Sequence, residues 1–396
     1  MKRVAALAGM LVAALLLGGC ANDARPPSAS STPSTPSPHA TTPGPTGSPT
    51  PNPLASLTLA QRVGQLFMVG STASAAQPVT LDALAHRHVG NIFLSGRTSL
   101  GIDATGAVVK TFTALVNTTT TAGLPLLIAT DQEGGFVQVL QGPGFSRIPS
   151  GLDQGAMSPK ALLSSAQEWG GQLAAAGVNM DLAPVVDQVS SATSAPNNPP
   201  IGAYDREFGF DISTIEEHAS AFRDGMVASN VVTVLKHFPG LGFVTANTDT
   251  SSGVTDTVTG PSGQNVGIYR NQIAARAPCI MISSAIYARI DGTVPAVFSR
   301  KVVSGLLRDR LGFTGVIMSD DLSGATQVLA WSPAHRAILA IEAGVDIVLV
   351  SKDPSVAAEM VDAVLAKAHS DPIFATLVDA AARKVIVLKS SPPIGP

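Results

Sequence analysis

Eight short apolar runs recur at wide intervals along the chain, and helix-like segments fill the gaps between them. The runs are GQLFMVG (64–70), VGNIFLS (89–95), LPLLIATD (124–131), VNMDLAPV (178–185), VVTVLKHF (231–238), PCIMISSA (278–285), GVIMSDD (315–321) and VDIVLVS (345–351). A strand with one wet face alternates apolar and polar residues, whereas a parallel strand covered on both faces reads as a continuous apolar run. The segments between, such as SPKALLSSAQEWGGQLAAAG (158–177) and ISTIEEHASAFRDGMVASN (212–230), have helical spacing. Gly177 and Gly344 stand where a helix C-terminal cap belongs. This alternation predicts an α/β fold, a single (β/α)8 barrel of the TIM type over residues 54–396. The residues beyond 351 read as helical, and no second domain is expected.

The N-terminus, MKRVAALAGMLVAALLLGGC, joins a basic start to a short apolar run and small residues, the pattern of a secretory signal over 1–19. The run is short for a membrane span. Its ending, LGGC, has the form of a lipobox, in which Cys20 is acylated and becomes the first mature residue. From 20 to 53 the chain is dominated by Pro, Ser and Thr and has little to bury, which predicts a disordered, semi-extended tether. The expectation is a lipoprotein anchored to the extracytoplasmic face of the cell membrane, with a monomeric barrel. Cys279, the second of two cysteines, lies in an apolar strand and reads as a buried small hydrophobe. With 25 Lys+Arg against 28 Asp+Glu there is no basic excess, and no nucleic-acid partner is expected. No Cys/His cluster has metal-ligand spacing and no Gly-rich phosphate loop follows a strand, so no metal or cofactor is expected.

Polar residues gather where a barrel enzyme needs them. The third strand ends in TDQEGG, the fourth in MDLAPVVD, the fifth in KHFPGLG and the seventh in SDDLSG. Charged groups at the carboxyl ends of several strands form a catalytic rim.

These motifs, together with VGQLFMVG, GFTGVIMSDDL and AGVDIVLV, resemble in order and approximate spacing the N-acetylglucosaminidase branch of glycoside hydrolase family 3. The resemblance covers Leu54 to Leu388 and implies a retaining exo-β-N-acetylglucosaminidase acting on GlcNAc-containing cell-wall glycans or muropeptides. It makes Asp320 the nucleophile. A carboxylate at a strand end suits attack on an anomeric carbon with oxocarbenium character. Asp321 should point away from it, because successive strand side chains alternate, and reads as a cap or supporting acceptor. Asp131, Lys236 and His237 match the sugar-binding aspartate and the Lys–His pair, and Arg206 resembles a further sugar-binding arginine with its spacing displaced. Where many relatives place two arginines after DQEGG, this chain has Phe136 and Val139, so a less positive site is expected.

Barrel-only members of the branch usually carry Asp-Ser-His on the loop after strand five, with the His as general acid/base. Here the corresponding residues are Asn247, Thr248 and Asp249. One reading makes Asp249 the acid/base, with Asn247 as a neutral orienting neighbour. Another makes the protein a catalytically impaired sugar-binding lipoprotein. A GlcNAc phosphorylase and a transporter-associated solute-binding lipoprotein are further alternatives, and the single uninterrupted strand series argues against the last.

Overall fold

A computed structural model describes residues 52–391. The predicted signal, the Cys20 acylation site and the tether up to residue 51 lie outside the described residues. From Leu54 onward the chain is packed: Leu54 and Leu57 are buried in the hydrophobic core.

All eight predicted strands are present: β1 (Phe67–Thr72), β2 (Asn91–Ser95), β3 (Leu127–Thr130), β4 (Met180–Asp181), β5 (Val232–Phe238), β6 (Cys279–Ile282), β7 (Val316–Asp321) and β8 (Ile347–Val350). Each pairs in parallel with its sequence neighbours, and β1 pairs with β8, so the sheet closes into a barrel. A helix follows each strand, from Pro78–Arg87 after β1 to Ala357–Ser370 after β8, and a last helix, Pro372–Ser390, packs below. Two cores result. Alternate strand residues such as Met68, Leu127, Met180, Val234, Cys279 and Met318 fill the barrel, while the other set packs against the helices. Cys279 is fully buried among them.

Two predicted strand boundaries shift for identifiable reasons. Gly64 and Gln65 end a helix, Leu59–Gln65, which Thr58 and Gln61 start with a reciprocal capping box. β4 stops at Asp181 because Pro184 has no N–H to give to a ladder; pairing resumes only as a bridge from Val185 to Lys236.

Two register shifts matter for the site. One lies between Leu235 and Phe238 in the β5–β6 pairing, and one between Met318 and Asp321 in the β7–β8 pairing. An extra residue on one strand re-aims the side chains beside it. The shifts fall on Lys236–His237 and on Ser319–Asp320, at the carboxyl ends of their strands.

Candidate active site

A cavity of about 270 Å³ opens at that end of the barrel. It is lined by every side chain the motifs singled out for chemistry or sugar contact: Asp131, Arg206, Lys236, His237, Asn247, Asp249, Asp320 and Asp321. They arrive from β3, the β4 loop, β5 and its loop, and β7, although up to 190 positions separate them in sequence.

One wall is an ion-pair network. Lys236 Nζ lies 2.6 Å from both Asp131 Oδ1 and Glu133 Oε1. Arg206 grips Glu133 with two bonds, Nε to Oε2 at 2.8 Å and Nη2 to Oε1 at 2.7 Å, and gives Nη1 to the Pro200 carbonyl at 2.6 Å. Burial works to raise the Glu133 carboxyl, but Arg206 and Lys236 outweigh it and hold it at about 2. For Lys236 burial works downward, and Asp131 and Glu133 reverse it, so its ammonium is raised and stays charged. Beneath this network Asp181 is fully buried; one oxygen accepts from Gln132 N–H at 2.9 Å and the other has no hydrogen-bond partner among the described residues. Burial pushes its carboxyl up to about 8.

Asp187 organises the KHFPGLG turn. One carboxylate oxygen accepts from the His237 N–H at 3.1 Å and the Leu241 N–H at 2.8 Å, and the other lies 2.7 Å from His237 Nδ1. An ionised carboxylate only accepts, so Nδ1 carries the proton and Nε2 is the remaining ring nitrogen. Gly242 is required here, since a Cβ would stand 1.8 Å from the Gln188 carbonyl oxygen.

The opposite wall is different. Asp320 is partly exposed, and its Oδ1 accepts the Asp321 N–H at 2.8 Å. Burial pushes Asp320 up to about 6; His237 pulls it down, while Asp249 and Asp321 push it further up. Asp321 lines the same cavity but is bonded differently. Its carboxylate accepts from Ser323 Oγ (2.6 Å), Gly324 N–H (2.7 Å) and Ser351 N–H (2.8 Å), tying the turns after β7 and β8 together. Asp249 is exposed. Asn247 does hydrogen-bond to it, but by accepting its backbone N–H at 2.8 Å, so the amide shapes the turn instead of bonding the carboxylate. Phe136 and Val139 do not line the cavity: Phe136 is exposed and meets Tyr204 edge to face at 5.5 Å, and Val139 is buried. The Arg97 guanidinium reaches the Phe136 carbonyl from the β2 side.

Sequence reasoning missed Glu133, Asp187 and Lys352. The first two stood inside motifs already noted, TDQEGG and MDLAPVVD, but only the closed barrel brings them to Arg206 and His237. Among the described residues no three His, Cys, Asp or Glu side chains are grouped to hold a metal ion.

A barrel mouth with a charged wall of paired side chains and two further carboxyl groups of unequal environment has the parts of a glycoside hydrolase site. Residues 58–388 match the family described as the glycosyl hydrolase family 3 N terminal domain, and the chain belongs to that family. The β-hexosaminidase of Vibrio cholerae is 32% identical over 284 residues, 71% of this chain and 81% of that protein. Among solved structures, the β-N-acetylhexosaminidase of Beutenbergia cavernae is 59% identical with a TM-score of 0.84, covering 85% of this chain and 99% of that one. Mycobacterium tuberculosis LpqI is 25% identical with a TM-score of 0.70, covering 85% and 95%.

Proposed function

We propose that the protein is a retaining exo-β-N-acetylglucosaminidase that removes terminal GlcNAc from cell-wall fragments. The observation that carries this reading is the meeting of Asp320 and Asp249 in one cavity with the Asp131–Lys236–Glu133–Arg206 wall. The names of the similar proteins supply the sugar. In the first step Asp320 attacks the anomeric carbon while Asp249 gives its proton to the departing oxygen. In the second, Asp249 takes a proton from water, water displaces Asp320 and GlcNAc leaves with its configuration retained. Asp131, Lys236, Arg206 and His237 hold the glycone, since they offer donors and acceptors fixed by their own partners. Asn247 and Asp321 shape the turns around the two acids.

Water is the proposed acceptor. During the second step an ionised Asp249 faces the incoming group, and two like charges about 4 Å apart repel by about 4 kcal/mol at an effective dielectric near 20. The Lys352 ammonium on the same side offsets part of that against phosphate. We place the protein on the extracytoplasmic face of the membrane, as a monomer held by acylated Cys20 and the Pro/Ser/Thr-rich tether; the lipobox and the tether's composition support this.

The test is Asp249→Ala assayed on an alkyl and an activated aryl β-GlcNAc glycoside. Loss of a general acid should slow the alkyl glycoside about 10²–10⁴-fold and the aryl one far less, with azide accelerating the aryl reaction. Uniform loss without azide rescue would remove Asp249 from the chemistry and move attention to the Asp187-backed His237. GlcNAc-1-phosphate formed by the unmutated protein in phosphate buffer would overturn the choice of water.

A further inference from the structure

The strand that carries Asp320 runs directly into the turn 323–331, and that turn grips the loop that carries Asp249. The Asp249 carbonyl accepts from Thr326 N–H (3.3 Å), Thr326 Oγ1 (3.0 Å) and Lys352 Nζ (3.3 Å). One residue earlier, the Thr248 carbonyl accepts the Gln327 N–H at 3.0 Å. Gln327 is buried, and its carboxamide closes on Val254 at the far end of the loop, accepting the N–H at 2.9 Å and donating to the C=O at 3.2 Å.

Lys352 is held for this task along its length. Its backbone N–H points to Asp321 Oδ1 at 3.3 Å. Its stem crosses Gly324, where a Cβ would stand 2.9 Å from Lys352 Cδ. The glycine of SDDLSG therefore makes room for the lysine. One short segment thus holds a carboxylate of the site at 320, a bearing for Lys352 at 324 and the grip on the opposite loop at 326–327.

We propose that Thr326, Gln327 and Lys352 are positioning residues that lock the proton-carrying loop to the nucleophile-carrying strand, so that Asp249 and Asp320 keep one relative placement through both half-reactions. The proposal rests on the roles given to Asp249 and Asp320 above. Misplacement of a catalytic group by about 1 Å can cost about a hundredfold in rate, and the loss falls on the step that needs the group. Releasing the loop should therefore imitate, more mildly, the loss of Asp249 itself.

The experiment compares Lys352→Met, Lys352→Arg, Gln327→Leu and Asp249→Ala in the full chain, on the alkyl and aryl glycosides with and without azide. Lys352→Met is expected to lower kcat on the alkyl glycoside about tenfold while KM and the aryl rate stay within about twofold, and Lys352→Arg to restore most of the loss. Gln327→Leu is expected to lower the alkyl rate about a hundredfold and the aryl rate less than about tenfold, with azide restoring the aryl rate. If Gln327→Leu lowers Tm so far that it cannot be assayed, the exposed Lys352 pair decides alone. Equal slowing of both substrates, or of neither, while Asp249→Ala still discriminates between them would overturn the proposal and leave the function standing. If Asp249→Ala does not discriminate, the assignment of the acid/base fails and the proposal fails with it.

Discussion

The two walls of the cavity are built on opposite electrostatic plans. On the β3–β5 wall every charge has a close partner: the Glu133 and Lys236 side chains are 6% and 3% exposed and 2.6 Å apart, and Arg206 completes the set. On the β5-loop and β7 wall, Asp249 is exposed and Asp320 accepts only a neighbouring N–H among the described residues. On the first wall Arg206 and Lys236 overcome burial and hold Glu133 at about 2; on the second, burial pushes Asp320 up to about 6, with Asp249 adding to the rise and His237 opposing it. Under the proposed function the difference separates tasks. Groups that hold a sugar gain from fixed charge and satisfied bonds, because removing one partner of a buried pair is costly. Groups that attack carbon or pass a proton gain from incomplete neutralisation, because a carboxyl locked near 2 by salt bridges is a poor proton donor at neutral pH.

The contrast can be broken from either side. Asp320→Asn should have the largest effect, a loss of at least about three orders of magnitude in kcat with little change in Tm, because Asn keeps the shape and cannot form the covalent bond. Near-normal turnover would transfer the nucleophile to another carboxylate. Lys236→Met should come next. It leaves Asp131 and Glu133 facing each other without their shared ammonium, and a broken buried pair costs about 3–5 kcal/mol. Both kcat/KM, by about two orders of magnitude, and Tm should fall, whereas Asp320→Asn should affect only the first. A Tm unchanged by Lys236→Met would mean that the network does not brace the fold.

The smallest effect sharpens the picture beneath the network. Asp181 is raised to about 8, far above its unfolded value of about 4, so the folded protein holds a proton there that the unfolded chain has released. That contribution to stability is present at low pH and is lost as pH rises toward 8. Asp181→Asn should match the unmutated protein in Tm near pH 4, gain on it progressively above that, and exceed it by several degrees near pH 8.5. Asp320 and Lys389, which also titrate away from their usual values, are common to both proteins and cancel in the difference. Parallel curves would place Asp181 in a wetter environment than the structure gives it.

Much of this was legible in the residues. Continuous apolar runs located all eight strands, and the motifs at their ends placed Asp131, Lys236, His237 and Asp320 in one mouth. What could not be read was whatever depends on the closing of the barrel. Glu133 finds Arg206 across 73 positions, and Asp187 finds His237 across 50. Nor does a strict two-residue period foresee the register shifts that turn Lys236, His237 and Asp320 into the cavity. Asn247 shows the limit on a smaller scale: its place beside Asp249 was clear, but only the turn geometry decides that it bonds the backbone.

The most direct test of the account is to find the covalent intermediate. In Asp249→Ala the second step lacks its general base, so mixing the variant with an activated aryl β-GlcNAc glycoside should build up glycosyl-enzyme. Intact-protein mass spectrometry after acid quench should show one added N-acetylhexosamine residue, and peptide mapping should locate it on Asp320. The same modification on Asp321, or a variant that turns the substrate over with no adduct while releasing the inverted sugar, would contradict the assignment of Asp320 as nucleophile.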